Sequence, residues 1–412
     1  MLNSMKTKAL VPIALLLALA LLPGAAGAAD TYVAPNGSGN ACTQASPCSI
    51  LTGGNEADAD SAIILAPGDY GSAVDPIDDR IYTFAPNANY VGRNDVRLFV
   101  DASSSTASVT IYSGQKFLGY GTRIISFDEV GVDIYGSARA ERIDVRTSID
   151  GSTACRFGNE GMETGGQLTN SLCVADGFGS KGIELAATRN EESAMVMGST
   201  GVSVGNGGAG ITASNSGITG GGTGFSRLNV FLSIARAEKG YDLDGGFDSD
   251  DNEACISARH TSALSLRPNI CGIAEDNPIR ELPGFIDPVS DFHLAAGSPL
   301  IDAVKNFSYP IPSVDLEGNP RDATDPDPGA YEFQKPAPPR RCVVPRLRGL
   351  KMPQVRNRLR NSNCALGRVT RKKVAAKRKA GRVLRQSPRA GLTLNEGARV
   401  RVTVGRKARS RR

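Results

Sequence analysis

The rhythm of its apolar residues constrains this chain most. Short aliphatic clusters at 109–111, 124–127, 132–134, 143–145, 172–174, 183–185, 195–197, 202–204 and 228–232 are separated by Gly, Asn, Ser and Asp. Clusters of this length predict short strands and an all-β fold, because helix-period stretches are scarce. Residues 29–339 hold 39 of the 47 glycines, ten of them within 201–224, nearly double the usual share. A sandwich or barrel would show hairpin turns and more aromatic cross-strand pairs, yet aromatic content is 6% and Trp is absent. Small-residue turns after short aliphatic strands suit a parallel β-helix. One coil cannot bury its apolar face alone, but a stack of coils can.

Charge divides the chain. Residues 1–339 carry 22 basic and 41 acidic side chains, a balance of 22 − 41 = −19. Residues 340–412 carry 25 basic side chains and one acid, Glu396, a balance of 25 − 1 = +24. Such a reversal predicts two modules, one of them suited to an anionic surface. The Pro-rich stretch 334–341 reads as the linker between them.

Lys6 and Lys8 precede an apolar run over 9–22, and Ala26-Gly27-Ala28 offers a small-residue cleavage site. This is the pattern of a secretory signal peptide over 1–28, since the run is shorter than the ~20 residues of a spanning helix. The expected product is exported, with no membrane partner after cleavage. Export makes the cysteines readable as disulfides. Proximity in sequence pairs Cys42 with Cys48, Cys155 with Cys173, Cys255 with Cys271 and Cys342 with Cys364. Zinc is disfavoured, because no C-x-x-C occurs and His260 and His293 form no ligand cluster.

The ends of the acidic module carry further pattern. Thr31-Tyr32-Val33-Ala34-Pro35-Asn36-Gly37 leads to Cys42 and Cys48, followed by Ile63-Ile64-Leu65-Ala66-Pro67-Gly68-Asp69-Tyr70. This resembles the entry segment of right-handed parallel β-helix proteins of the pectate-lyase-like superfamily, which implies a short capping helix between the two motifs. At the other end stand Pro283-Gly284-Phe285-Ile286-Asp287-Pro288, Asp291-Phe292-His293-Leu294, Gly297-Ser298-Pro299-Leu300-Ile301-Asp302, Asp315-Leu316-Glu317-Gly318-Asn319-Pro320-Arg321 and Asp327-Pro328-Gly329-Ala330-Tyr331-Glu332-Phe333. These resemble the closing segment of secreted bacterial β-helix proteins of the choice-of-anchor Q type. The resemblance implies a β-helix over 29–333 and a surface location, without a defined chemistry.

No catalytic constellation stands out among the 41 acids of this half, and the expectation is a non-catalytic protein without a cofactor. The alternative is a polysaccharide lyase or glycoside hydrolase, the latter requiring paired carboxyls across an open cleft. The densest acidic run, Asp242, Asp244, Asp248, Asp250, Asp251 and Glu253, has the oxygen chemistry of a Ca²⁺ loop. Its spacing fits no twelve-residue calcium loop, so a solvated turn before Cys255 is the preferred reading. His293 sits in a closing-strand motif and is expected to be structural; His260 has no evident partner.

The basic half is patterned too. Met352, Val355 and Leu359 make one apolar stripe of a short helix; 366–369 and 383–384 read as strands, and Val400, Val402 and Val404 alternate with polar residues as a third. Residues 342–405 therefore form a small α+β unit, with 406–412 as a disordered basic tail. Val344-Pro345, Gly349-Leu350, Gly367, Gln386-Ser387-Pro388, Gly391, Gly397 and the last strand resemble the PASTA domain. That resemblance implies noncovalent binding to peptidoglycan or anionic wall polymers, other polysaccharides remaining partners for the β-helix. Export argues against nucleic acid.

Overall fold

Successive side chains of a strand point to opposite faces, so a coil of short strands sends one set inward, and parallel stacking lays each inward residue on its counterpart in the next coil. The computed structural model describes residues 28–103, 106–158, 165–187, 193–215, 226–245, 254–268, 273–335 and 339–407. The signal-peptide reading lies outside them except for Ala28. The chain divides into two compact units, meeting between Gln334 and Lys335. In the first, a 20-stranded sheet winds as three parallel columns, the parallel β-helix expected from the sequence.

The first column runs from Thr31–Val33 and Ala62–Leu65 through Asn89–Val91, Gly166–Thr169, Ser193–Met197 and Ser226–Phe231 to Ala254–Arg259 and Ile273–Asp276. Its inward ladder is Ile63, Tyr90, Phe117, Ala140, Leu168, Val196, Val230 and Ala258, each opposite the next. The second column includes Gly68–Tyr70, Val96–Val100 and Leu172–Ala175, with Leu98, Ile124, Val145 and Cys173 in line. The third includes Ala107–Ile111, Val130–Tyr135, Thr153–Gly158 and Lys181–Ala187, with Val109, Val132, Cys155, Ile183, Ile211 and Leu243 in line. The apolar clusters picked from sequence fall in these strands, save that Phe127 and Leu232 lie just past strand ends. Cys155 and Cys173, both fully buried, join the third column to the second across the core.

The corner between the first and second columns is a stack of its own. Arg142, Asn170, Gly198, Leu232 and His260 adopt positive φ there. Beside them Ser171, Ser199 and Ser233 are wholly buried. Their hydroxyls accept from the backbone N–H of Ile143, Ser171 and Ser199 at 3.3, 3.1 and 3.3 Å. A rung of buried hydroxyls thus satisfies backbone donors that strand pairing leaves open. In the described part of the Gly-rich stretch, up to Asn215, the glycines have a packing cause: a Cβ on Gly205 would lie 1.7 Å from the Gly177 carbonyl oxygen, and one on Gly208 2.2 Å from that of Ser180. Only glycine lets these turns touch backbone to backbone.

A helix, Ile50–Glu56, closes the first coil. Ser49 caps it by accepting from Thr52 N at 3.1 Å. Adjacent glycines ordinarily weaken a helix. Here a Cβ on Gly54 would stand 2.2 Å from the Tyr82 carbonyl oxygen, so the small residues let the helix lie flat on the stack. A disulfide joins Cys42 to Cys48 beside it.

The segment after Pro283 does not extend the stack; it folds back along the outer face of the second column. Phe292, Leu316, Ala330 and Tyr331 cover Leu172, Val174 and Val202, while Leu294 and Leu300 cover Ile234. Burial on both faces explains why Leu172–Ala175, the strand under this cover, reads as an unbroken apolar run. Arg321 fastens the segment. Fully buried, it donates to Asn170 Oδ1 (3.1 Å), Gly198 O (3.3 Å), Gly329 O (2.6 Å) and Glu332 Oε2 (3.3 Å).

The second unit has its own core of Cys342, Val344, Leu347, Val355, Leu359, Val383, Val400, Val402 and Val404. The helix Met352–Asn361 buries Val355 and Leu359. A three-stranded sheet places Arg399–Lys407 between Ala365–Val374, parallel to it, and Val383–Ser387, antiparallel. Cys342–Cys364 ties the opening strand to the turn three residues past the end of the helix. Two sequence boundaries shift. Arg341 belongs to a strand, Arg341–Val343, paired with Thr393–Asn395. Arg406 and Lys407 stay in the sheet, opposite Lys373 and Val374, because the partner strand is long enough to hold them. Residues 336–338 of the linker and 408–412 of the tail lie outside the described residues.

Gly54→Ala is expected to lower stability by about 1–3 kcal/mol through overpacking against the Tyr82 carbonyl. Gly297→Ala, where a Cβ would meet nothing within 4 Å, is expected to be neutral. Thermal melts of the two variants check this, and equal melting points would contradict the packing argument.

Candidate functional site

The third column carries an outward ladder that matches its inward one in regularity. Thr110, Asp133, Arg156, Glu184, Thr212, Asp244 and Arg267 lie opposite one another in sequence of coils. Arg156 Nε donates to Asp133 Oδ1 at 3.1 Å, and Tyr135 Oη donates to Asp133 Oδ2 at 2.8 Å. Glu184 receives Thr153 and Ser214 hydroxyls at 2.8 Å each and pairs with Lys181. Burial would raise the Glu184 carboxyl, but the Lys181 charge and these hydrogen bonds outweigh it and hold it below the usual range. Arg267 Nε donates to Asp244 Oδ1 at 2.8 Å. Each carboxylate of the ladder thus has a cation or hydroxyl partner, which fits it for holding coils in register. A general acid would need its carboxyl pushed upward instead.

Beside the ladder runs an aromatic stack. Phe84 lies on Tyr112 with centroids 5.6 Å apart, and Tyr112 on Tyr135 at 5.8 Å. Tyr82 meets Phe84 edge-on at 4.8 Å, and Phe84 keeps 72% of its surface exposed.

The residues singled out from sequence are dispersed. Asp242 is buried and accepts from Ala237 N (2.8 Å) and Leu264 N (2.7 Å), with Arg236 at 3.4 Å. Two members of the acidic run, Asp242 and Asp244, are therefore committed to strands; Asp248, Asp250, Asp251 and Glu253 lie outside the described residues. Cys255 is disulfide-bonded, and Cys271 lies outside the described residues. His293 Nδ1 lies 2.6 Å from Asp291 Oδ1 and Nε2 lies 3.4 Å from Glu317 Oε1, with the ring stacked on Tyr331 at 3.9 Å. His260 sits at the corner stack with Phe307 edge-on at 5.3 Å. The two histidines serve different parts of the closing segment.

Perturbed carboxyls gather where the closing segment docks. Burial raises Asp327, and burial with the Asp327 charge pushes Glu332 up to about 7, against the pull of Arg321 and of backbone donors. Three carboxyls, Asp315, Asp327 and Glu332, act on one buried guanidinium. One of them holding a proton near neutrality is the electrostatic consequence. Their oxygens accept from Asn319, Asp322, Phe333 and Asp302 backbone N–H groups, so the cluster acts as a latch on this face.

The second unit shows a different electrostatics. Its helix packs on one face of the sheet, and the other face presents Arg368, Thr370 and Lys372 on one strand, Arg401 and Thr403 on the next, and Arg385 and Ser387 on the third. Among the described residues from 340 onward, no Arg or Lys lies within ion-pair distance of a carboxylate. Thr370 and Thr403 hydroxyls are 3.0 Å apart. Gln386 holds the rim: its Oε1 accepts from Leu347 N at 2.7 Å and its Nε2 donates to Pro345 O at 2.9 Å. Two pockets open on this face. One of about 440 Å³ is lined by Arg368, Thr370, Arg385, Ser387, Arg401 and Thr403. One of about 390 Å³ includes Arg348, Lys372, Arg378 and Arg382, and shares Arg385 and Thr403 with the first. Composition disclosed the basic charge; only the strand register shows which arginines converge.

Glu332 has a folded pKa above its unfolded 4.5, so its contribution to stability is present below that value and lost as pH rises through about 7. Glu332→Gln is expected to flatten the fall in melting temperature between about pH 5 and about pH 8.5. An unchanged slope would show that the latch does not titrate there.

Residues 343–406 match the PASTA domain. No curated protein sequence matches the chain. Among solved structures, the crystal structure of pectate lyase Pel9A aligns at a TM-score of 0.40 and 16% identity, over 75% of this chain and 98% of that one. The β-helix is established by the three parallel columns themselves, and the basic unit at residues 343–406 is similar to the PASTA domain in sequence.

Proposed function

We propose that this is an exported protein that its C-terminal unit holds at the bacterial cell wall without a covalent bond. The observation that carries the reading is the coincidence of the PASTA match over 343–406 with an open sheet face of arginines that lack carboxylate partners. The ligand is peptidoglycan or an anionic wall polymer. Long-range attraction brings an excess of cations to such a polymer, and the face gives them something to close on. Residues 1–28 act as the export signal, and the disulfides at Cys42–Cys48, Cys155–Cys173 and Cys342–Cys364 suit the oxidising side of the membrane. The acidic β-helix is the presented part. It is non-catalytic on this reading, and a glycan is its partner class, with Phe84 offering a sugar ring a stacking face.

Retention on purified cell wall tests the anchor. A chain of residues 29–412 is expected to be held at low salt and released as salt rises, while residues 29–339 pass through. Equal behaviour of the two chains would refute it. For the presented part, Phe84→Ala is expected to weaken binding at least about tenfold to whichever glycan of a mixed panel the full chain retains. Unchanged binding would remove Phe84 from the site.

A further inference from the structure

The basic unit contains no Phe, Tyr, Trp or His between 340 and 412. This limits what its face can recognise. Sugar rings and unstacked nucleobases are commonly held on aromatic platforms, and none exists here. What the face does offer is guanidinium and hydroxyl. Arg368, Arg385 and Arg401 border one pocket, with Thr370, Thr403 and Ser387 between them. A guanidinium matches an oxyanion through paired N–H donors, and hydroxyls complete the set for an oxygen-rich ligand. The neighbouring pocket brings further cations, Arg348, Lys372, Arg378 and Arg382, beside an apolar lining of Val374, Val383 and Leu384, and shares the Arg385 and Thr403 wall; Arg382 Nη1 also donates to Gly349 O at 2.8 Å. Two oxyanion pockets with a common wall suit one charge in each of two successive units of a chain.

We infer that the paired pockets bind a polyol phosphate, an acyclic polymer with one phosphodiester in each repeat, the shared Arg385 lying between consecutive phosphates. The inference rests on the wall-anchoring reading and narrows its ligand. A phosphodiester suits the site better than a uronate does. It keeps its charge throughout the pH range of growth, brings tetrahedral oxygens to converging donors, and has no ring that needs a platform. Register supports the placement. Arg385 and Thr370 both lie opposite Thr403, and Arg401 lies opposite Ser387 one step along the sheet. Guanidinium and hydroxyl therefore alternate along each strand, as Arg368 and Thr370, Arg401 and Thr403, and Arg385 and Ser387, on strands about 4.8 Å apart.

The test uses the chain of residues 29–412 and synthetic poly(glycerol phosphate), with polygalacturonate and duplex DNA of equal charge as comparison ligands. Poly(glycerol phosphate) is expected to bind at least about tenfold more tightly than either. A triple Arg→Lys variant at 368, 385 and 401 keeps the charge and loses the paired donors; it is expected to weaken binding at least about tenfold. A control removing three exposed charges elsewhere, Arg356→Ala, Arg360→Ala and Arg389→Ala, is expected to change it less than about threefold. Circular dichroism checks that both variants fold. Equal binding of polygalacturonate or DNA, an unaffected lysine variant, or a control that loses as much would each overturn the assignment. Wall stripped of phosphate polymers by hydrofluoric acid separates the two readings. Full retention on stripped wall overturns the polyol phosphate while the anchor stands; no retention on intact wall overturns the anchor itself.

Discussion

A single coil of this chain cannot bury its own apolar residues, and the rest of the acidic unit depends on that. Burial needs a neighbour above and below, so every coil must repeat the inward pattern of the last. The ladder from Ile63 through Phe117 and Leu168 to Ala258 is that repetition made visible. Stacking also fixes what faces outward. Like residues would repel if the outward ladder were all acidic, and it alternates instead: Asp133, Arg156 and Glu184, then Asp244 and Arg267. The buried serines of the corner and the glycines of the tight turns answer the same demand at the backbone level.

The two units solve the problem of charge in opposite ways. In the β-helix, acids meet cations within the fold, and even Arg321, wholly buried, is surrounded by oxygen acceptors. In the basic unit the cations are left facing outward on a sheet whose other side carries the core. Internal satisfaction belongs to a scaffold, while surplus donors belong to a binding face. The net charge of the whole chain, +5, describes neither.

Much of the architecture was legible in the sequence. Gly, Asn, Ser and Asp punctuate the strands because they tolerate the corner conformations, so the all-β repeat could be read directly. The PASTA-like unit was legible from Met352, Val355 and Leu359 and from the alternation at Val400, Val402 and Val404. The sites were harder. Asp133 and Arg156 are 23 residues apart, Thr212 and Asp244 32, and Asp244 and Arg267 23. Uneven turns hide such a ladder, since sequence spacing carries no register until the coils are stacked. The docking of the closing segment was hidden for a related reason. Arg321 meets Asn170 across 151 residues, and nothing local in either residue announces it. The converging arginines at 368, 385 and 401 were equally unreadable among 25 basic residues, because strand pairing alone selects them.

On the proposed function, opposite charges divide the labour: the basic unit holds the chain at the wall and the acidic unit is the part it holds. Fractionation of bacteria producing the full chain is the deciding measurement. The protein is expected in the wall fraction, released intact by concentrated salt without digestion of the wall. Recovery in the culture medium or the cytosol, or a wall-bound form that resists salt until the wall is digested, would contradict it.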